Sequence, residues 1–246
     1  MKIDILTLFP DMFAPLTSSI LGKAAEKGIL EINITNIRDY SVDKHKKADE
    51  YPFGGGVGMV MLADPVFRAM EGIKAEGKKA IYMSPRGDVL NQEKIRQLAE
   101  EEELVILCGH YEGVDQRILD YWNMEEISIG DYVLTGGELP AMVLIDSVAR
   151  MIPEVLSSEH SALDESIYSG LLEYPQYTKP REYRDMQVPE VLLSGNHKNI
   201  RLWKLEQSLR ITKDRRPDLF DEFVKKKEVL TKEERKILEK ILEIDG

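Results

Sequence analysis

At 246 residues, with 43% hydrophobic and 31% charged side chains, the chain is excluded from the disordered class and is long enough for one large domain or two small ones. No apolar run approaches the roughly 20 residues a bilayer crossing requires, and the start, MKIDILTLFPDMF, lacks a signal peptide's cleavage pattern, so a cytoplasmic protein without a membrane partner is expected. A single cysteine, Cys108, excludes an internal disulfide, and a net charge of −11 argues, taken whole, against a nucleic-acid partner.

Along the chain, short β-rich runs alternate with amphipathic helical stretches. IDILTLF (3–9), EINITNI (31–37), KAIYMS (79–84), ELVILC (103–108) and ISIGDYVL (127–134) read as strands, and their nearly continuous apolar content suits a sheet covered on both faces. Helical patterns fall at 11–27, 64–76, 91–102, 114–122 and 139–152. This order predicts an α/β domain, residues 1–156, around a largely parallel sheet. Residues 157–170 are polar and turn-rich and read as a mobile linker. Beyond them, 171–246 form a smaller, mainly helical domain with patterns near 198–210, 217–227 and 231–244.

Charge is distributed unevenly over this plan. Residues 179–246 hold 17 Lys and Arg against 14 Asp and Glu, whereas residues 1–178 hold 16 against 30. The C-terminal part could bind phosphates, or it is a solvated helical surface.

The common site motifs are missing. There is no P-loop, because Gly22-Lys23 lacks the upstream glycine and the following Ser or Thr, and GGGVGM (54–59) follows a polar run rather than a strand. Four scattered histidines and no CxxC or HExxH leave no metal-ligand pattern. No G-x-S-x-G elbow exists. What remains is three glycine-bearing turns after predicted strands: SPRG (84–87), CGHYEG (108–113) and TGGELP (135–140). In a parallel sheet these lie along one edge, where ligands of open α/β sheets bind. Any one of them is explained by ordinary turn chemistry; three at one edge point to a site that reads a flat ligand through the backbone.

The segments FPDMF, HKKADEYPFGGGVGM, SPRG, LCGHYEGVDQR, SIGDYVLTGGELPAMVLIDSVARMIP, GLLEYPQYTKP, VPEVLLSGNH and RRPDLF together resemble the TrmD family of tRNA (guanine-N1)-methyltransferases, members of the SPOUT superfamily. The resemblance spans nearly the whole chain. It implies a homodimer whose N-terminal domain contains a trefoil knot. It also implies methyl transfer from S-adenosylmethionine to N1 of the guanosine immediately 3′ of the anticodon, position 37 of tRNA. Tyr82, Gly109, Tyr111, Ser128, Ile129, Gly130, Tyr132, Leu134, Gly136, Gly137 and Pro140 would hold the cofactor.

Guanine N1 becomes a nucleophile only once its proton leaves, so the reaction wants a base at N1 and a cation or donor at O6. By resemblance, Arg150 stabilises the developing charge and a linker carboxylate is the base. The family's usual Asp at that point is Glu165 here, with Asp164 beside it as the alternative. His45, Asp49, Gly54, Gly55, Gly56 and Glu112 look like contacts to the target nucleotide, and magnesium is a further implied partner. Two positions depart from the family pattern, with His110 and Lys179 each standing where Arg is common. Phosphate contacts are expected from Lys198, Arg201, Lys204, Arg215 and Arg216. The competing readings are a SPOUT methyltransferase of another RNA nucleoside, or an RNA-binding protein without turnover.

Overall fold

The computed structural model describes residues 1–156, 170–225 and 230–243, and the chain divides into two units, Met1–Glu159 and His160–Gly246. The predicted linker, with Glu165 and Asp164, lies outside the described residues apart from its last position.

The first unit is built on β1 (Lys2–Thr7), β2 (Glu31–Asn36), β5 (Lys79–Val89), β6 (Glu103–Cys108) and β7 (Glu125–Ser128), arranged in the order β2-β1-β6-β5-β7 with every pairing parallel. A sheet covered on both faces needs apolar side chains on both, which is why the central strands read as continuous apolar runs. Ile3, Ile5, Leu104, Ile106, Cys108, Ile81 and Met83 face one core, packed by helices α1 (Ser19–Glu26), α3 (Gln92–Ala99) and α5 (Glu138–Ala149). The alternate residues Leu6, Val105, Leu107, Ala80 and Tyr82 face a second core under α2 (Ala63–Gly72) and α4 (Gln116–Tyr121). Asp4 points into that second side yet is buried. Lys78 donates to it at 2.9 Å and Asn33 at 3.1 Å, which satisfies the charge.

Two expectations need correction. The helix expected over 11–27 is broken into a 3-10 turn, Pro10–Thr17, and α1, because Pro15 lacks an N–H and its ring crowds the preceding turn. The strand expected over 127–134 ends at Ser128: Gly130 has φ 147°, and residues 129–134 form an irregular loop. Two short hairpins escaped the sequence pattern, β3 (Asp49–Glu50) with β4 (Val60–Met61) and β8 (Glu182–Tyr183) with β9 (Met186–Gln187); strands of two residues carry no readable period.

The second unit is helical, with α6 (Glu190–Leu193), α7 (His197–Arg215), α8 (Pro217–Lys225) and α9 (Lys232–Glu243) around a small core of Leu171, Leu209, Phe220, Leu238 and Ile241. Asn196 caps α7 by accepting from the Asn199 N–H, and Thr231 with Glu234 forms a reciprocal box at the start of α9. The Thr212 hydroxyl is buried, donating to the Ser208 carbonyl and accepting the Leu172 N–H at 2.8 Å, which fastens the entering segment onto α7.

Candidate active site

Because β6, β5 and β7 are neighbours, their three exits lie side by side at the C-terminal edge of the sheet. The exits are bonded to one another. The Gly137 N–H donates to the Gly109 carbonyl at 2.8 Å, and His110 and Gly136 form an antiparallel bridge. The Leu90 N–H donates to the Ser128 carbonyl at 2.8 Å, joining the β5 and β7 exits. Between the three turns lies a cavity of about 350 Å³, within the range of small-molecule sites.

All eleven residues expected to hold the cofactor line this one cavity. Tyr82 forms part of the floor, with its ring packed against Gly109; burial pushes its hydroxyl pKa up, while the charge of Arg86 pulls it back. The loop after β7 braces itself: the Ser128 hydroxyl donates to the Gly130 carbonyl and accepts the Gly130 N–H, and the Tyr132 hydroxyl donates to the Ile129 carbonyl. Tyr111, at φ 60°, accepts from Arg38 at 3.2 Å. Leu134, Ile129 and Pro140 supply apolar wall. Gly137 is a matter of space rather than of φ. A Cβ there would sit 2.8 Å from both the Cys108 α-carbon and the Gly109 nitrogen, closer than real Cβ contacts come.

The helix after this glycine pair does not suit a phosphate. Glu138 occupies the first turn of α5, only 2% exposed, with one oxygen accepting from the Thr7 hydroxyl at 2.8 Å. A buried carboxylate at a helix N-terminus cancels the attraction that terminus offers an anion. At that terminus the cavity therefore suits a neutral or cationic group held by backbone and apolar contacts rather than a phosphate.

Of the residues expected at the target nucleotide, Glu112 lines the cavity and its side chain packs against Gly58. The glycine loop is tied to the same rim: Glu112 N–H donates to the Met59 carbonyl at 3.0 Å and Met61 N–H to the Gly113 carbonyl at 2.9 Å. Gly54, Gly55 and Gly56 form the exposed tip of that loop. Asp49 lies on β3 of its hairpin, and His45 sits in the preceding turn, its N–H donating to Asp43 at 2.7 Å. Arg150 is not brought to the cavity of its own chain. It closes the far end of α5, and 12 helical residues place it about 18 Å from the glycine pair.

In the second unit the expected phosphate contacts are mostly engaged. Lys198 pairs with Glu233 at 2.7 Å, Arg201 with Glu234 at 3.7 Å and Arg216 with Asp218 at 2.6 Å, while Lys204 donates to the Tyr174 hydroxyl. Arg215 is exposed at the end of α7 without an ion pair among the described residues. The sequence reading missed Arg86 and Gln116, which also line the cavity. Arg86 lies inside a turn that the glycine pattern had already marked, so only its charge went unused.

The family model described as tRNA (Guanine-1)-methyltransferase TrmD matches residues 1–222. A protein of Ruminiclostridium cellulolyticum named tRNA (guanine-N(1)-)-methyltransferase is 58% identical over 231 residues, covering 92% of this chain and 99% of its own. Proteins of the same name from Clostridium acetobutylicum and Clostridium botulinum are each 55% identical over 239 residues, covering 97% of this chain and 96% and 97% of theirs. The chain belongs to the TrmD family of tRNA (guanine-1)-methyltransferases.

Proposed function

We propose that this chain is an S-adenosylmethionine-dependent enzyme that methylates N1 of the guanosine immediately 3′ of the anticodon of tRNA. Its relatives are named for methylation of tRNA guanine at N1; the cofactor and the position in tRNA are our reading. The observation that carries the cofactor is the convergence of eleven residues, spread from Tyr82 to Pro140, on one cavity whose helix terminus carries a buried carboxylate. A sulfonium cofactor is cationic and has no phosphate, which suits Glu138 and the backbone-lined wall.

When bound, S-adenosylmethionine supplies a methyl group activated by its sulfonium. The chain's own residues do the rest. The three turns fix the donor's orientation, which is the larger part of an in-line transfer. Glu165, with Asp164 as the alternative, takes the proton from guanine N1, and Arg150 offsets the charge growing on O6. His45, Asp49, Glu112 and the glycines 54–56 receive the target nucleotide at the rim. Magnesium is proposed as a further partner, tested by whether a chelator removes turnover.

The position of Arg150 supports a homodimer, since it stands at the far end of α5, about 18 Å from the glycine pair and outside the lining of its own cavity, where it would serve a neighbouring one. The exposed apolar residues Leu139 and Val143 lie on the same stripe of α5 as Arg150, and Met12 and Ile20 are also exposed on this unit. The mutual bonding of the three turns supports a trefoil-knotted SPOUT domain at residues 1–156. Residues 171–246 are then the tRNA-binding domain, and the 157–170 linker carries the base. A protein working on tRNA with no helix long and apolar enough to span a membrane, among the described residues, fits the cytoplasm.

The test is incubation with labelled S-adenosylmethionine and tRNAs that carry or lack guanosine 3′ of the anticodon. Label is expected only in the first. No transfer to either would sink the enzyme reading, and equal transfer would sink the assigned nucleoside. Glu165→Gln is expected to remove most turnover with cofactor binding kept. Loss on Asp164→Asn instead would move the base by one residue.

A further inference from the structure

Strand β5 is interrupted where it meets the cavity. Met83 and Asp88 both face Ile127 of β7, so the four residues between them, Ser84–Gly87, loop out of the sheet. Gly87 holds that loop flat against β7, because a Cβ there would overlap the Glu126–Ile127 peptide. The consequence falls on Arg86. Its Nε donates to one oxygen of Glu126 and its Nη2 to the other, each at 3.1 Å, and Nη2 also reaches the Gln116 oxygen at 3.4 Å.

A guanidinium gripped along one edge by a carboxylate is fixed in plane and direction. The remaining nitrogen, Nη1, makes no hydrogen bond among the described residues. Arg86 and Gln116 both line the cavity, and Arg86 is the one Lys or Arg among the residues that do so. Its field reaches the cavity floor, where it opposes the upward push of burial on the Tyr82 hydroxyl. The acidic groups there, Glu112 at the lining and Glu138 behind Gly136, have the opposite sign. A ligand suited to this wall carries cationic groups and one anionic group on a short arm.

We infer that Arg86 binds the carboxylate of the cofactor's amino-acid tail through Nη1, with Glu126 as the positioning residue that holds the guanidinium toward it. This rests on the reading of the cavity as an S-adenosylmethionine site. The Arg86 side chain is 64% exposed, so the contribution is moderate, about tenfold in affinity rather than the hundredfold a desolvated charged hydrogen bond can reach.

Two ligands separate the tail from the nucleoside: S-adenosylhomocysteine keeps the carboxylate, and 5′-methylthioadenosine lacks the whole amino-acid arm. Calorimetric titration of the full-length Arg86→Gln protein is expected to show about tenfold weaker S-adenosylhomocysteine binding and unchanged 5′-methylthioadenosine binding. Arg86→Lys should recover part of the loss. Glu126→Gln should weaken S-adenosylhomocysteine alone, by roughly threefold, since it loosens the guanidinium without removing it. Equal loss for both ligands in Arg86→Gln, or loss for neither, overturns the assignment. A change confined to KM for tRNA overturns it too, and would place the guanidinium on an RNA phosphate. If the unsubstituted protein binds neither nucleoside, the cofactor reading itself fails and this inference with it.

Discussion

The cavity of the first unit and the basic surface of the second are built from opposite materials. Around the cavity, position is set by backbone packed on backbone: turns bonded at 2.8 Å and a glycine whose absent side chain is the only room left. On the second unit, Lys198 of α7 holds Glu233 of α9 across exposed surface, where long side chains exchange partners at little cost, and the exposed Arg201 reaches a more covered Glu234. Steric positioning tolerates no substitution and ignores salt; charge positioning tolerates substitution and depends on salt. The two halves of the proposed reaction should therefore fail in different ways.

The sharpest break is at Gly137. Alanine adds one methyl group 2.8 Å from the Cys108 α-carbon and the Gly109 nitrogen, both backbone atoms that no rotamer change can move aside. Gly137→Ala is expected to weaken S-adenosylhomocysteine binding by about 100-fold or more, on the scale of overpacking penalties of roughly 1–3 kcal/mol plus the lost alignment. tRNA binding, measured by filter retention, should stay within about twofold. Retained cofactor binding would mean that the turns yield, and the contrast between the regions would collapse.

What could be read from the sequence follows the same division. The sheet and the three turns were legible because apolar runs and glycines are local signals, and a parallel sheet places all strand exits on one edge. The limits of that reading are physical as well. ISIGDYVL looks like a strand to its end, yet Gly130 at φ 147° turns the chain out of the sheet after Ser128. Pro15 sits within a helical pattern that it interrupts. The hairpin that carries Asp49 is two residues wide on each side and exists by its bonds to the cavity rim, which no local pattern encodes. The pairing of Lys198 with Glu233 joins positions 35 apart on different helices, so the sequence offered the cations and not their engagement. Arg150 shows the same limit from the other side: the resemblance names the residue, and its place at the far end of α5, away from the cavity, is what the proposed homodimer would have to bridge.

A second prediction sharpens the salt half of the contrast. Three net phosphate contacts would lower tRNA affinity roughly 20- to 40-fold between 50 and 200 mM salt. Cofactor affinity over the same range should change less than about twofold, because its wall is mostly backbone and apolar. Replacing Glu233 by Gln frees Lys198 from its partner and is expected to strengthen tRNA binding by a few-fold at low salt, with the melting temperature nearly unmoved. A salt-independent tRNA affinity would count against the basic surface as the contact.

The smallest expected signal tests the rigid side where it could give way. Cys108 ends β6 beneath Gly137, and burial, reinforced by the charge of Glu138, holds its thiol pKa well above the ordinary range. A thiol whose folded value is raised contributes stability fully below the ordinary thiol pKa, near 8.5, and loses it as pH rises from there toward the folded value, where the unfolded chain ionises first. Between pH 7 and 8 the folded chain should thus show no reaction with a thiol-specific disulfide reagent over an hour, with or without cofactor, while the denatured chain reacts within minutes. Reactivity in the folded chain that cofactor suppresses would show the floor opening on the timescale of binding. The glycine pair would then be a hinge rather than a fixed seat, and the loss predicted for Gly137→Ala would shrink, since a floor that opens can also move aside for a methyl group.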